Sequence, residues 1–210
     1  MEFIFIFHII AILFSMVFHE IGHGYAALRL GDHTARLQGR LSLNPISHID
    51  PVFTIIIPCT LIFIGLPPIG GAKPVPVNPN FFKNVSPRRG MLLVAAAGPL
   101  VNLILCMISL VILHATHLIL PSFITLFFVL FISYNTLFFV FNLIPLPPLD
   151  GSKILIGLLP KKLAFKWLKF EKYGLLIVFA LAILGVFWPF IEACLQFSDS
   201  LLPSNLFESN

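Results

Sequence analysis

The stretch Phe3–His23, FIFIFHIIAILFSMVFHEIGH, decides how the rest of this chain is read. From Phe3 to Phe18 it holds one ionisable group, His8, before the block His19-Glu20-Ile21-Gly22-His23. With the residues that follow, the run reaches the roughly 20 positions that a helix needs to span a bilayer. On a helix, positions four apart share a face and lie one turn apart, with about 6 Å between their Cβ atoms. Two imidazoles so placed suit one tetrahedral Zn²⁺, and the carboxylate between them can act as general base for a water at the metal. Ionisable groups in lipid are costly, so their presence in an apolar helix points to function.

Composition extends this reading to the whole chain. Of 210 residues, 58% are hydrophobic and only 10% charged, against about 25% charged in a soluble domain. The expectation is an all-α polytopic membrane protein. Four segments read as membrane helices: about 3–30, 91–114, 122–144 and 173–194. A fifth apolar run, Pro51 to Leu66, carries Pro58 in its middle, and it either crosses or dips in and returns. The Pro/Gly-rich stretch from Leu66 to Val77 cannot be regular helix. It is expected to be extended, as an edge strand or a loop lining the site. Residues 1–195 form a single membrane domain, and 196–210 a short polar tail. Met1-Glu2 lacks the basic start of a removable signal, so the first helix is expected to stay. Cys59, Cys106 and Cys194 are widely spaced in apolar runs and read as small buried hydrophobes.

Charge sets the orientation. The 67–90 loop carries Lys73, Lys83, Arg88 and Arg89 without an acid, and the 145–172 loop carries six lysines against Asp150 and Glu171. Both are expected on the cytoplasmic side, with the uncharged 115–121 link and the C-terminus outside. The net charge of +4 is thus a topology signal and not a nucleic-acid footprint. In the stretch 161–172, KKLAFKWLKFEK, the residues Leu163, Trp167 and Phe170 fall at helical spacing beside lysines. It reads either as an interfacial helix on the inner leaflet or as a basic flank that fixes topology.

Two histidines do not complete a catalytic zinc site, which takes three protein ligands and leaves one position open. Asp32, Asp50, Asp150, His33 and His48 are the candidates for the third. Asp150 stands out because it closes Asn142-Leu-Ile-Pro-Leu-Pro-Pro-Leu-Asp150-Gly151. The prolines there unwind a helix at membrane depth, where irregular backbone survives only if buried in protein or facing water. His48 and Asp50 stay open as alternatives lining a water path, beside a plainer capping turn before Pro51. His8 reads as a packed or interfacial histidine, His33 as a surface one. Asp32 follows Gly31, a helix stop signal.

At these residues the chain resembles the site-2 protease family of intramembrane zinc metalloproteases. FHEIGH (18–23), AGPLVN (97–102) and NLIPLPPLDG (142–151) match in the family's order. The resemblance implies that His19, His23 and Asp150 bind one zinc ion and that Glu20 is the catalytic base. It further implies that Asn102 and Asn142 hold the backbone of a transmembrane protein substrate near the metal. The chain looks like a minimal member, without PDZ or CBS domains, in a bacterial-type cell membrane. Its site is expected in the cytoplasmic half.

Topology bears on the fifth run. For Asp150, at the inner end of the 122–144 helix, to meet His19 and His23, the first helix must also run inward. Segment 51–66 would then begin and end on the cytoplasmic side, which favours a re-entrant element over a full crossing. Two other readings of the chain compete. A membrane metal or ion transporter also places histidines and acids in the bilayer, but it does not require the H-E-x-x-H order. A non-catalytic relative that binds membrane helices would not need the full set of catalytic residue types.

Overall fold

The computed structural model describes residues 2–64, 70–204 and 206. Among these residues eight α-helices follow one another: α1 (Glu2–Arg29), α2 (Thr34–Leu37), α3 (Ile57–Phe63), α4 (Pro87–Thr116), α5 (Ser122–Asn142), α6 (Asp150–Leu158), α7 (Lys161–Ile183) and α8 (Trp188–Ser200). There is no strand among the described residues. α1, α4 and α5 are long and apolar enough to cross a membrane. The bent pair α7–α8 makes a fourth span if its two helices are counted together. The chain is an all-helical polytopic membrane protein.

α4 shows the inverted pattern of a membrane bundle. Its buried face runs through Ala95, Gly98, Asn102, Cys106 and Ser109, while Leu100, Ile104, Met107, Ile108 and Val111 are exposed. Small and polar residues let helices approach and bond where lipid supplies no hydrophobic drive between them, and the large apolar side chains are left for the acyl chains. α1 and α5 run the same way. His8 meets Tyr134, Ser15 meets Asn135, and His19 lies against Phe138. α4 runs opposite to α1, since Ser15 pairs with Asn102, Gly22 packs on Val101 and Ala97, and His23 reaches Val94.

α1 ends at Gly31 (φ +101°), where Gly31 N–H donates to Leu28 O and Asp32 N–H to Ala27 O. This double closure is what a left-handed residue past the last turn permits. The following chain reaches a π-helix, Pro51–Ile56, which Asp50 caps by accepting from the Val52 and Phe53 amides at 2.9 Å, and which continues into α3. Together these 13 residues reach about 20 Å at most, short of a 30 Å hydrocarbon core. By Gly71 the chain is back beside their start: Gly71 N–H donates to Phe53 O at 3.1 Å and Thr54 Oγ1 to Gly71 O at 2.6 Å. Of the Pro/Gly-rich stretch, 65–69 lies outside the described residues, and 70–78 has no regular structure.

The segment read as one helix over 173–194 is two. α7 begins twelve residues earlier, at Lys161, so the basic stretch 161–172 is the first half of a long helix. Its Trp167 is turned inward, donating from Nε1 to Ser152 on α6 at 3.0 Å. α7 stops at Gly185 (φ +71°), where Gly185 N–H donates to Ala182 O and Val186 N–H to Leu181 O, and α8 departs at 78°. Nor is 196–210 simply a polar tail. α8 runs to Ser200, Ser198 Oγ bonds Ser133 Oγ of α5 at 3.3 Å, and Leu202 is buried with Cys106, Leu113 and Ile132. Residues 205 and 207–210 lie outside the described residues. Cys106 and Cys194 are buried as expected of small hydrophobes, whereas Cys59 on α3 is exposed.

Candidate metal centre

On α1, Ala11, Ser15, His19 and Gly22 form a buried stripe at three- and four-residue spacing, with His23 one turn beyond His19. Asp150 comes from the first turn of α6, after prolines 145, 147 and 148 have ended α5. Gly151 permits the return. A Cβ there would press on the carbonyl oxygens of Leu143 and Ile144, so only glycine lets α6 start against the end of α5. The outcome is a near-equilateral triangle. His19 Nε2 lies 3.1 Å and His23 Nε2 3.0 Å from Asp150 Oδ2, and the two nitrogens are 3.0 Å apart.

Hydrogen bonds on the far side of each ring decide what the triangle offers. His23 Nδ1–H donates to Val94 O at 2.7 Å. His19 Nδ1–H donates to Asn102 Oδ1 at 2.6 Å. The Asn102 amide is oriented by its own donations, from Nδ2 to Ser15 O at 3.0 Å and to Asn135 Oδ1 at 2.8 Å. With both Nδ1 atoms committed as donors, each imidazole in its neutral form carries its lone pair on Nε2, facing a carboxylate oxygen. In that form three acceptor atoms converge, an arrangement that a cation resolves. Tetrahedral N and O ligands at about 2.0–2.2 Å from zinc stand about 3.3 Å apart, within a few tenths of an ångström of the spacing here. The residues fit the metal. Asp150 Oδ1 faces Lys153 Nζ at 3.5 Å, which leaves Oδ2 as the oxygen presented to the histidines.

Gly98 makes room for the pair. A Cβ at this position would press on His23 Cε1 and stand 2.5 Å from its Nε2 and 2.8 Å from His19 Cε1. Glu20 lies on the neighbouring face of α1, and its Oε2 accepts from the Val75 N–H at 2.8 Å. The extended segment 70–77 therefore lines the site, tied to it through a backbone amide. The same segment is held by Arg40 Nη2 on Lys73 O at 2.7 Å and by Lys73 N–H on His48 O at 2.8 Å.

The other expected residues sit elsewhere. Asn102 is fully buried, and both of its amide hydrogens are used on Ser15 and Asn135, so it has no donor left for a substrate. Asn142, in the last turn of α5, is half-buried and donates back to Phe138 O at 3.1 Å. His48 is buried in the loop, with Nε2 on Ser42 O at 2.8 Å. Asp50 is a helix cap, and His8 bonds the Tyr134 hydroxyl at 2.8 Å. Asp32 is buried in the turn after α1, accepting from Thr34 N–H and Oγ1 and from Asn78 N–H at 2.6 Å. None of these is among the three converging groups. Sequence reasoning missed Ser15, Asn135, Val75 and the Val94 carbonyl. Asn135 was there to be found, as an amide inside an apolar helix; the backbone partners carry no side-chain signal.

The family model described as "Peptidase family M50" matches residues 115–185. The chain is 42% identical over 196 residues to a Bacillus subtilis (strain 168) protein named "Putative zinc metalloprotease YwhC", covering 88% of this chain and 85% of that one. Two mycobacterial proteins named "Putative zinc metalloprotease Rip2" are also similar. That of Mycolicibacterium smegmatis (strain ATCC 700084 / mc(2)155) is 32% identical over 187 residues, covering 86% of this chain and 68% of its own length. That of Mycobacterium tuberculosis (strain ATCC 25618 / H37Rv) is 35% identical over 144 residues, covering 66% of this chain and 52% of its own length. No solved structure matches.

Proposed function

Because the chain belongs to peptidase family M50, the site-2 protease family, we propose that it hydrolyses a peptide bond in or near a transmembrane segment of a membrane-protein substrate. It is a zinc metallopeptidase whose single ion is held by His19, His23 and Asp150. The observation that carries this reading is the triangle of three acceptor atoms, 3.0–3.1 Å apart, with the outer nitrogen of each imidazole already engaged.

Zinc held by His19, His23 and Asp150 would supply Lewis acidity, making the attacking water more acidic and the substrate carbonyl more electrophilic. Glu20 takes the proton from the attacking water and returns it to the leaving amine. Its Oε2 is fixed by Val75, which leaves Oε1 for proton transfer. Asn102 positions His19 and does not meet substrate, whereas half-buried Asn142 pairs with a carbonyl or N–H of an opened substrate helix. Such pairing replaces intrahelical bonds where water is scarce. In this reading the site lies in the cytoplasmic half of a bacterial-type cell membrane; the parallel course of α1 and α5 and the basic stretches 67–90 and 145–172 support it.

The test is cleavage of a reporter carrying a transmembrane segment by purified, zinc-loaded protein. Chelation should abolish it and zinc restore it. Glu20→Gln should retain the metal and lose about 10²–10⁴-fold in rate, the usual worth of a positioned general base; undiminished cleavage would remove Glu20 from this role.

A further inference from the structure

We propose that Asn135, on α5, is a positioning residue for the metal centre: acting through Asn102, it holds His19 in the tautomer that presents Nε2. Ser15, Asn102 and Asn135 are buried to 0% exposure, one on each of α1, α4 and α5, and each is hydrogen-bonded to the other two. Asn135 Nδ2 donates to Ser15 Oγ at 2.9 Å and to Phe131 O at 2.8 Å, which fixes its Oδ1 as an acceptor facing Asn102. Asn102 Nδ2 donates to that oxygen at 2.8 Å and to Ser15 O at 3.0 Å, which fixes its own Oδ1 as the acceptor for His19 Nδ1–H at 2.6 Å. An inverted Asn102 amide would set NH₂ against His19 Nδ1–H and deprive Asn135 Oδ1 of its Asn102 donor. Donation thus runs from the imidazole through Asn102 to Asn135, so the orientation of the Asn135 amide fixes each acceptor in the chain.

The other polar side chains of α5 nearby do not share this path. Thr136 pairs with Cys106 Sγ at 3.3 Å, Ser133 with Ser198, and neither reaches a metal-site residue. Partners that orient a metal-ligating histidine set its tautomer and are worth about 10–100-fold in metal affinity. Asn135 sits one bond further out, at the point where α1, α4 and α5 meet.

This inference rests on His19 being a zinc ligand, so its test needs a readout that does not. In metal-free protein, ¹⁵N NMR of the histidines should show His19 in the Nδ1–H form in the wild type and as a tautomer mixture in Asn135→Leu. Zinc affinity, measured by competition with a chromogenic chelator, should fall about 10–100-fold in Asn135→Leu and by less in Ser15→Ala, which removes one acceptor with little change in volume. Asn102→Ala should fall comparably, and Asn102→Ala/Asn135→Leu should be no weaker than Asn102→Ala alone, because residues acting in series are not additive. Thr136→Val loses a buried α5 hydrogen bond of another pair and should keep wild-type affinity. Additive losses, or an equal loss in Thr136→Val, would reduce Asn135 to packing and overturn the proposal. Unchanged zinc binding in Asn135→Leu would overturn it while leaving the metalloprotease reading intact. A wild type that binds no zinc would overturn that reading, and the tautomer measurement would still decide the role of Asn135.

Discussion

The backbone N–H of Val75 donates to Glu20 Oε2 at 2.8 Å, and it is the one amide hydrogen that Pro74-Val75-Pro76 possesses. The two prolines hold the segment extended and can give nothing to a ladder, so the single donor between them is spent on the proposed base. Val75→Pro should leave zinc content unchanged and lower the cleavage rate about 10–100-fold, the scale of a misplaced catalytic group. Val75→Ala keeps the amide and isolates the lost packing; it should stay near wild type. Equal losses in the two variants would show that the side chain, not the amide, matters.

Gly98 faces both imidazoles at a distance no Cβ can occupy. Overpacking of this kind costs about 1–3 kcal/mol, and here the atoms that must yield are the ring edges of His19 and His23. Gly98→Ala should therefore lose about 10–100-fold in zinc affinity, read by chelator competition, with thermal unfolding of the metal-free protein little altered. A variant with normal zinc binding would mean that α4 can back away from α1 without cost.

Asp32 ties the turn after α1 to Asn78, at the end of the segment that carries Val75. Burial pushes its carboxyl up, but the Thr34 hydroxyl and the Asn78 and Thr34 amides outweigh this and hold it below the ordinary carboxylate range. A carboxyl with a lowered native pKa adds stability above its unfolded value of about 3.9, and that stability is lost as pH falls through the native value. The stability gap between wild type and Asp32→Asn, followed by thermal unfolding in detergent, should be constant near neutral pH and close on acidification below about pH 4. A gap that persists unchanged into acid would exclude the carboxylate as its source.

The parts of this molecule that were legible in the sequence are those where chemistry and local geometry coincide. H-E-x-x-H reads directly because helical spacing alone puts His19 and His23 on one face. Asp150 reads through its prolines, which mark broken backbone at membrane depth. Gly31 reads as a helix stop because a left-handed residue closes α1. The rest depended on tertiary course. The partner of Glu20 is a backbone amide 55 positions away, invisible to any side-chain pattern. The break between α7 and α8 was hidden because Gly185 sits inside an unbroken apolar run. The stretch 161–172 was open to a helical reading through Leu163, Trp167 and Phe170, but its continuity with 173–183 was hidden because its lysines set it apart from the apolar run that follows. Asn102 and Asn142 were read as one pair with one role. The structure separates them because Asn102 falls where α1, α4 and α5 meet, and Asn142 lies at the end of α5.

The central claim is that two imidazoles from α1 and a carboxylate from α6 hold one ion. X-ray absorption on the zinc-loaded protein tests it most directly. The prediction is a shell of nitrogen and oxygen only, at about 2.0–2.2 Å, with the outer-shell signature of two histidines, and loss of the bound zinc in Asp150→Ala. An unchanged zinc shell in Asp150→Ala, or sulfur among the ligands, would contradict it.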